Sequence, residues 1–234
     1  MSEARVAMIT GAAGGLGRVL APELASEGYE LALLGSDRAR LEALPGELGL
    51  DPGRSLTVAA DLRDADTVNA AISAVYGRFG RVDALAHLVG GWTGGMHIGR
   101  SPDDPFASMI DQHFWTTLNV VRDLAPRMAD AGFGRIVAVS SPMAAVPDAG
   151  MGAYGVGKAA QEALLAALAN EVAGTGVTVN VLRVRAIDPS ADADHPSTKE
   201  YATTAAEISA AIRYLFSPVA RVVNGQRIGL HHGR

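Results

Sequence analysis

Short runs of apolar residues alternate along this chain with longer stretches in which apolar positions recur every three or four residues. The short runs predict β-strands and the longer stretches predict amphipathic helices. Strands are predicted over residues 5–10, 31–34, 55–60, 84–89, 135–140, 177–184 and 225–230, and helices end near residues 27 and 48 or cover 65–79, about 106–131, 154–173 and 204–216. Apolar strands that alternate with helices indicate an α/β fold, a doubly wound parallel sheet of about seven strands with helices on both faces.

Two segments depart from this regular pattern. Pro126 lies inside the long helix predicted near residues 106–131, and it is expected to bend or shorten that helix. Residues 187–201 follow the sixth predicted strand without a clear periodicity, so they are expected to be irregular. That segment is short for a substrate lid, which indicates an open site or a small or flat substrate.

The composition narrows the class of protein. The chain has 234 residues, 48% of them apolar and 19% charged, and no linker or charge block divides it. We therefore expect one domain over residues 1–234 with a large core. The longest apolar runs are far short of a membrane span, and the N-terminus lacks the pattern of a secretory signal. A cytoplasmic protein with no membrane partner is the expectation.

Charge and residue usage exclude further classes of function. A net charge of −5 and a pI near 5.7 argue against a nucleic-acid partner. The chain has no cysteine, which excludes disulfides, thiolate catalysis and Cys-ligated metal. No metal site is predicted, because four histidines lack ligand spacing with each other or with carboxylates: His97, His195, His231 and His232.

A glycine-rich turn follows the first predicted strand and precedes the first helix. In this G-x-x-x-G-x-G spacing, Gly11 permits a tight turn, Gly15 lets the backbone approach a pyrophosphate, and Gly17 lets the helix pack closely on the sheet. The helix N-terminus offers free N–H groups and a positive dipole end to phosphates. The alternative is an ordinary strand-to-helix turn, but its place after the first strand favours nucleotide binding. Asp61, after the third strand, is expected at the same edge of the sheet, or as a helix N-cap.

Tyr154 and Lys158 lie four residues apart in a predicted helix, with Ser140 and Ser141 upstream. Side chains at this spacing share one face of a helix. A free phenol has a pKa near 10, and a nearby ammonium favours the phenolate and lowers that pKa. A serine hydroxyl on the preceding loop can hold a substrate oxygen against the tyrosine. The three side chains form an apparatus for moving a proton on or off an alcohol.

Together these features resemble the short-chain dehydrogenase/reductase family over nearly the whole chain. The motif T-G-x-x-x-G-x-G matches at 10–17, an Asp-hydrophobic pair at 61–62, Y-x-x-x-K at 154–158, and N-G-Q-R-I resembles the family's approach to its last strand. The family's catalytic serine lies thirteen residues before the tyrosine, which selects Ser141 rather than Ser140. The resemblance implies a single-domain Rossmann-like fold and homo-oligomers, dimers or tetramers packed through long helices.

The resemblance also implies an activity: NAD(P)-dependent oxidation or reduction of a small alcohol/carbonyl substrate. Tyr154 would be the general acid or base, Lys158 would lower its pKa and hold the cofactor ribose, and Ser141 would hydrogen-bond the substrate oxygen. The nicotinamide would take or give the hydride. The implied cofactor-binding residues are Gly11, Gly15, Leu16, Gly17, Ser36, Arg38, Asp61, Leu62, Gly90, Tyr154, Lys158 and Ile187.

Some positions differ from the family's pattern. H-L-V-G at residues 87–90 replaces N-N-A-G, so the amides that brace the sheet edge are absent, although Gly90 remains. His113 replaces an Asn thought to hold a water that relays protons from the lysine. A His can do the same and would titrate near pH 6.5 if unperturbed, or it only packs. Asn119 is six residues out of register, and Pro189 replaces a Thr that often contacts the cofactor carboxamide.

Cofactor and substrate remain open at this point. An acidic residue after the second strand favours NAD and a basic one favours NADP; here Ser36 is flanked by Asp37 and Arg38, and we lean slightly to NADP. The segment G-G-W-T-G-G is similar to that of dihydropteridine reductase-like members, so Trp92 either stacks on a pterin or quinonoid ring or covers the sheet edge. The alternative to an enzyme is a nucleotide-binding protein with little catalysis, which acts as a sensor or an assembly partner. The Ala-rich face of residues 159–173 is compatible with a homo-oligomer.

Overall fold

The structure, a computed structural model, describes residues 4–189 and 202–230. Its strands are β1 (Val6–Thr10), β2 (Glu30–Gly35), β3 (Ser55–Ala59), β4 (Ala84–His87), β5 (Gly134–Ser140), β6 (Val177–Arg183), β7 (Ala186–Asp188), β8 (Ala202–Thr204) and β9 (Arg227–Gly229). Its α-helices are α1 (Gly15–Ser26), α2 (Arg38–Glu47), α3 (Ala65–Phe79), α4 (Asp104–Ile110), α5 (Thr116–Asp130), α6 (Gly152–Glu171) and α7 (Ala205–Phe216). Short 3₁₀ turns lie at Ile98–Arg100, Pro142–Ala144 and Pro218–Val222.

Seven strands form one parallel sheet in the order β3-β2-β1-β4-β5-β6-β9. The chain moves outward from β1 to β3 and then returns to add β4 on the other side of β1. This reversal of strand order opens a crevice outside the carboxyl ends of β1 and β4, which is where ligands bind in open α/β sheets. The predicted doubly wound parallel α/β fold is confirmed.

Successive side chains of each strand point to opposite faces of the sheet, so the sheet carries two cores. In β1, Val6 and Met8 pack into a core with α3, α5 and α6, whereas Ala7 and Ile9 pack into a second core with α1, α2 and α7. Because both faces are covered, every residue of β1 is buried, which explains why this strand is a continuous apolar run rather than an alternating one.

The long helix predicted over residues 106–131 is interrupted. A π-helical turn at Asp111–Trp115 separates α4 from α5. The Thr116 hydroxyl donates to the Gln112 carbonyl at 2.7 Å and the Thr117 hydroxyl donates to the His113 carbonyl at 2.6 Å. These side-chain bonds occupy carbonyls within the turn, which accounts for the local shift of the backbone pattern. Pro126 does not shorten the helix, since α5 continues to Asp130.

The segment expected to be irregular, residues 187–201, begins inside β7, and β7 pairs in parallel with β8, which follows the segment. The rest of that segment, residues 190–201, lies outside the described residues, and so do His195, His231 and His232. Within the described parts of the chain, no helix is long and apolar enough to cross a bilayer.

Gly17 provides a test of the close packing between α1 and the turn before it. A Cβ at Gly17 would lie 2.4 Å from the Ala12 carbonyl oxygen, whereas a Cβ at Gly77, an exposed position in α3, would meet nothing within 4 Å. We expect Gly17→Ala to lower the free energy of unfolding by about 1–3 kcal/mol. Gly77→Ala, the matched control, should raise it by roughly 0.5–1 kcal/mol. Urea unfolding measures both; equal effects would mean that the turn relaxes without cost.

Candidate active site

A cavity of about 500 Å³ opens at the carboxyl edge of the sheet, above the reversal between β1 and β4. Its volume lies within the usual range for cofactor and small-molecule sites. The walls come from the turns after β1, β2, β3 and β4 and from the π-helical turn, so five separate segments meet there. The lining residues are Gly11, Ala13, Gly14, Gly35, Ser36, Asp37, Arg40, Ala60, Asp61, Leu62, Arg63, Leu88, Val89, Gly90, Gly91, Gln112 and Thr116.

The glycine-rich turn lines one side of this cavity. Gly11 has a φ of +73°, and a Cβ there would come within 3.2–3.3 Å of the Leu88–Val89 backbone. No side chain caps the N-terminus of α1 at Gly14, so its first N–H groups have no intrahelical or side-chain acceptor. Gly15 is covered by Pro189, whose Cβ lies 2.6 Å from the position that a Cβ on Gly15 would take. The turn therefore offers the anion-binding helix end that its sequence predicts.

The turn after β2 places a different arginine in the cavity from the one that the sequence suggested. The Arg38 side chain is 73% exposed and pairs with Glu42 at 3.4 Å on the surface of α2, and it does not line the cavity. Arg40 does line it, and its Nη2 donates to the Ala13 carbonyl at 3.0 Å. Asp37 accepts a hydrogen bond from the Arg40 backbone N–H and thereby caps α2. Ser36 lines the cavity as expected.

Asp61 and Leu62 line the cavity at the end of β3. The Asp61 carboxylate receives a bidentate pair from the Arg63 guanidinium, and this bond is the main reason that the pKa of Asp61 lies below its ordinary value. Asp61 does not cap the following helix with its side chain, because Asp64 performs that role. Asn119 on α5 donates to the carbonyls of Leu62 and Arg63, each at 3.0 Å, and so fixes this turn.

Ser141, Tyr154 and Lys158 do not line this cavity themselves; they are linked to it through Gly90, a lining residue at which an added Cβ would lie 3.8 Å from Lys158 Nζ. Ser141 follows β5, and the other two lie on α6, one turn apart as the spacing predicted. Ser141 is 1% exposed and Lys158 is 4% exposed. The pKa of Tyr154 is raised by burial, while a hydrogen bond with the Ser141 hydroxyl acts in the opposite direction. The serine hydroxyl is therefore close enough to the phenol to act on its pKa.

The expected lowering of the Tyr154 pKa by Lys158 is wrong. The pKa of Tyr154 lies above its ordinary value instead of below it, because desolvation dominates. Lys158 Nζ donates to the Val139 carbonyl at 2.8 Å and to Gln161 Oε1 at 3.1 Å. Neither of these acceptors belongs to Tyr154. Burial also lowers the pKa of Lys158 to about 7, which reduces the positive charge available at neutral pH.

His113 is fully buried in the π-helical turn and lies edge-on to the Tyr154 ring, with centroids 5.6 Å apart. Its Nε2 is 3.1 Å from the Gly91 carbonyl oxygen, which only accepts, so Nε2 carries the proton and Nδ1 is a bare acceptor. Nδ1 is buried with no hydrogen-bond partner. Burial, with the nearby Lys158 charge, lowers the pKa of His113 to about 3. The ring is thus neutral at physiological pH and does not titrate near 6.5.

The His87 side chain takes over the bracing of the sheet edge that the missing amide side chains were expected to provide. It is 1% exposed, its Nδ1 lies 2.9 Å from the Thr10 hydroxyl on β1, and its Nε2 lies 3.1 Å from the Thr117 hydroxyl on α5. A ring with two hydrogen-bonding atoms spans from the sheet edge to the helix. The bracing function is retained by a different side chain.

The remaining predicted residues lie as follows. Gly90 lines the cavity, and a Cβ there would lie 3.3 Å from the His113 ring and 3.8 Å from Lys158 Nζ. Ile187, in β7, is 38% exposed and does not line the cavity. Trp92 is 59% exposed, and its Nε1 donates to the Met151 sulfur at 3.3 Å, just before α6 begins. Leu16 and Gly17 are buried in the first turn of α1.

Sequence reasoning missed Arg40, Gln112 and Gln161. The Gln112 Oε1 atom is a buried acceptor without a partner, and Gln112 lines the cavity. Gln161 is fully buried beside Lys158. The only available signal for Gln161 was its position three residues after Lys158, on the same face of α6. A polar residue on a helix face otherwise gives no indication of what it will contact.

Comparison with known proteins identifies the family. The sequence model described as short chain dehydrogenase matches residues 5–200. The chain belongs to the short chain dehydrogenase family. It is 29% identical to 3-oxoacyl-(acyl-carrier-protein) reductase of Staphylococcus aureus over 244 aligned residues, which cover 100% of this chain and 99% of that protein. It is also 29% identical to D-threitol dehydrogenase of Mycolicibacterium smegmatis, with 99% and 93% of the two chains covered.

The solved structures agree with this assignment. A 3-ketoacyl-(acyl-carrier-protein) reductase from Brucella melitensis, complexed with NADH, superposes with a TM-score of 0.88 at 26% identity and covers 99% of this short chain dehydrogenase and 98% of that chain. The resemblance inferred from the motifs is confirmed. The protein is therefore an oxidoreductase that acts on CH–OH or C=O groups, as its relatives do.

Proposed function

We propose that this short chain dehydrogenase is a single-domain NAD(P)-dependent enzyme that transfers hydride between nicotinamide and a small carbonyl or alcohol. The observation that carries the proposal is that the Ser141 hydroxyl lies close enough to the Tyr154 phenol to act on its pKa, one helical turn from buried Lys158. Lys158 in turn lies next to Gly90, which lines a glycine-rich cavity beside an uncapped helix end. This grouping of phenol, hydroxyl and lysine supports the transfer of a proton to a carbonyl oxygen.

The residues present fit a dinucleotide. The free N–H groups of α1 suit a pyrophosphate, and the orphaned Gln112 Oε1 can accept a hydrogen bond from a hydroxyl of the ligand. The bound nicotinamide would supply the site that gives or takes the hydride. Among the protein's own groups, Ser141 orients the substrate oxygen and Tyr154 exchanges the proton. Because the pKa of Tyr154 is raised, the phenol is protonated at neutral pH and suited to the reductive direction.

Replacing Tyr154 tests this assignment. Tyr154→Phe removes the hydroxyl and keeps the ring, so we expect kcat for carbonyl reduction to fall by about 10²–10⁴-fold. NAD(P)H binding, measured by fluorescence, should persist. Tyr214→Phe makes the same change at a tyrosine that is 52% exposed on α7 and should leave kcat unchanged.

The outcome separates the two classes of function. If the wild type binds NAD(P)H and a panel of ketones, quinones and pterins gives no reduction that depends on Tyr154, the enzyme interpretation fails. The protein would then be a nucleotide-binding sensor or assembly partner. The two relatives act, by their names, on an acyl-(acyl-carrier-protein) and on a sugar alcohol. The panel must therefore be broad.

We infer that the substrate has a flat or apolar part that lies on Trp92. The indole is 59% exposed and is held against Met151 at the start of the helix that carries Tyr154. An exposed indole that is fixed by a contact offers a stacking surface at low entropic cost. Met96 and Ile98 are also exposed on the same loop, and they add apolar surface to that of Trp92. This arrangement supports a pterin, a quinonoid or another planar carbonyl compound.

For the cofactor we keep the slight preference for NADP over NAD. We now assign Arg40, instead of Arg38, to the binding of the 2′-phosphate. Arg40 lies at the cavity wall together with Ser36, where a 2′-phosphate of the adenosine ribose would be bound. A guanidinium and a hydroxyl are suitable donors to a phosphate. Asp37 is already engaged as the N-cap of α2, so its carboxylate accepts from the protein's own backbone.

Two arginine variants test this assignment. We expect Arg40→Ala to raise the KM for NADPH by about 10–100-fold, because a hydrogen bond between charged groups is lost, and to change the KM for NADH little. Arg38→Ala, two positions away on the surface, is the matched control and should affect neither cofactor. If Arg38→Ala has the larger effect, the assignment from the sequence stands. If Arg40→Ala raises both KM values equally, the lean to NADP is wrong.

We also propose that His113 takes part in proton transfer through its free Nδ1. This atom and Lys158 Nζ each lie 3.8 Å from the point that a Cβ on Gly90 would occupy, and we propose that a water beside Gly90 bonds to both nitrogens. In this arrangement the neutral ring accepts a hydrogen bond and never becomes an imidazolium, since its pKa is about 3.

The variants His113→Ala and His113→Asn test the relay. Alanine removes the acceptor, so kcat should fall by about tenfold or more, whereas asparagine restores an acceptor and should retain most of the activity. Neither should remove an inflection between pH 5 and 9, because His113 does not titrate there. His97→Ala, at an exposed histidine, is the control. Full activity of His113→Ala across pH 5–9 would end the relay idea while leaving the role of Tyr154 intact.

We further propose that the protein forms a homo-oligomer in the cytoplasm. The groove between α5 and α6 has a volume of about 350 Å³, and its walls are mostly apolar, including Val121 and Leu164. Arg122 and Glu171 also line it. Under a two-fold axis each arginine can meet the glutamate of the other copy, which makes the face self-complementary.

A further inference from the structure

Lys158 has two acceptors within the protein, and one of them is a side chain that no motif identifies. Its Nζ donates to the Val139 carbonyl and to Gln161 Oε1 at 2.8 and 3.1 Å. An ammonium has three donors, so one remains for the side of the cavity at Gly90. Gln161 is 0% exposed, and its amide orientation is fixed because the ammonium can only donate to the oxygen.

The other end of the Gln161 amide continues into a second buried group. Nε2 donates to Thr117 Oγ1 at 2.9 Å, and that hydroxyl donates its one proton to the His113 carbonyl at 2.6 Å. Since the carbonyl cannot donate, Thr117 has no proton left for another partner. Its two lone pairs must therefore accept from Gln161 and from His87.

Because Thr117 has no proton left to donate, the tautomer of His87 is determined. Its Nε2, 3.1 Å from Thr117 Oγ1, must carry the hydrogen. Its Nδ1 is then an acceptor, and the Thr10 hydroxyl donates to it at 2.9 Å. Burial and the Lys158 charge lower the pKa of His87 to about 3, so the ring stays neutral and keeps one donor and one acceptor.

Two branches of hydrogen bonds therefore converge on Thr117. One runs from Lys158 through Gln161, the other runs from Thr10 through His87, and both end at the His113 carbonyl in the π-helical turn. Each bond can be drawn in one direction only. All the side chains involved are at most 4% exposed. Apart from the third donor of Lys158, these side chains are paired with one another or with backbone carbonyls, and buried polar networks of this kind hold their members rigidly.

We propose that Gln161, Thr117 and His87 are positioning residues for Lys158, which join it to the sheet edge and keep its free donor directed at the cavity. The proposal rests on the proposed function in giving Lys158 a role in the reaction. The branch positions the lysine without relaying its protons, because a carboxamide does not pass protons on as a water does. Any proton that leaves Lys158 must then leave on the side of Gly90.

The Gln161 branch has a measurable consequence for Lys158 itself. An acceptor bonded to the ammonium favours the charged form, so its removal lowers the pKa of the lysine. The other titratable groups near Lys158 are Tyr154 and Glu162 on α6, His113 in the π-helical turn and His87 on β4. The Gln161 side chain bonds to Lys158 and Thr117 and to none of these groups, and Glu162 is already paired with arginines.

The chain has two lysines, Lys158 and Lys199. In a Lys199→Arg background, lysine labelled with ¹³C at Cε gives one signal, and its shift against pH reports the pKa of Lys158 in the whole protein without any substrate. We expect Gln161→Leu to lower this pKa by about one unit, because one hydrogen bond to a charged group is lost. Gln226→Leu makes the same change at an exposed glutamine and should leave the pKa where it is.

Thr117→Val provides a second test if Gln161→Leu does not fold. Valine removes the shared acceptor, so the pKa of Lys158 should fall by a smaller amount in the same direction. The ¹⁵N shifts of the His87 ring should show hydrogen on Nε2 in the wild type, and this preference should weaken in Thr117→Val. His87→Asn identifies which ring signals belong to His87.

The results separate this proposal from the proposed function. An unchanged Lys158 pKa in folded Gln161→Leu, or a wild-type His87 with hydrogen on Nδ1, overturns the positioning network whatever the activity. If the pKa and tautomer are as expected but the wild type reduces no carbonyl compound, the network stands and the proposed function fails. In an active enzyme, Gln161→Leu should lower kcat about tenfold and shift its pH profile with the Lys158 pKa, while the KM for substrate changes little.

Discussion

One ammonium group buried at the reversal of the sheet is the constraint on which this site depends. Lys158 is 4% exposed, and a buried charge is unfavourable unless it is hydrogen-bonded. Desolvation favours the neutral form and lowers the pKa to about 7, whereas the nearby Glu162 charge and the hydrogen bonds to Val139 and Gln161 favour the charged form. The balance leaves Lys158 able to change its charge near neutral pH. A lysine on the surface of α6 would be permanently charged and too well hydrated for this.

Three buried bases link the site to the stability of the whole protein. The pKa values of His87 and His113 are lowered to about 3 and that of Lys158 to about 7. Between each folded value and the ordinary value, the unfolded chain binds a proton that the folded chain does not, so stability rises with pH. For the histidines this window is about pH 3 to 6.5, and for Lys158 about pH 7 to 10.5. All three contributions have the same sign, and the site favours its unprotonated form.

The fold and the central site residues could be predicted from the sequence because their signals are local. Apolar strands, the glycine turn and the spacing of Tyr154 and Lys158 each depend on a few neighbouring residues. The rest depends on contacts between segments far apart in the chain. Arg40 rather than Arg38 lines the cavity because the first turn of α2 directs them differently. Gln161 meets Thr117 across 44 positions, and no periodicity reports that contact.

The choice of histidine at the end of β4 follows from the direction of the hydrogen bonds around it. His87 is paired in register with Thr10 on β1 and must also reach Thr117 on α5, with an acceptor on the first side and a donor on the second. A neutral imidazole has one of each, on a rigid ring. An imidazolium has two donors, and the Thr10 hydroxyl would then have to accept. The low pKa of His87 is thus a condition for the network around Lys158, and burial, which causes it, also excludes the water that would compete for these bonds.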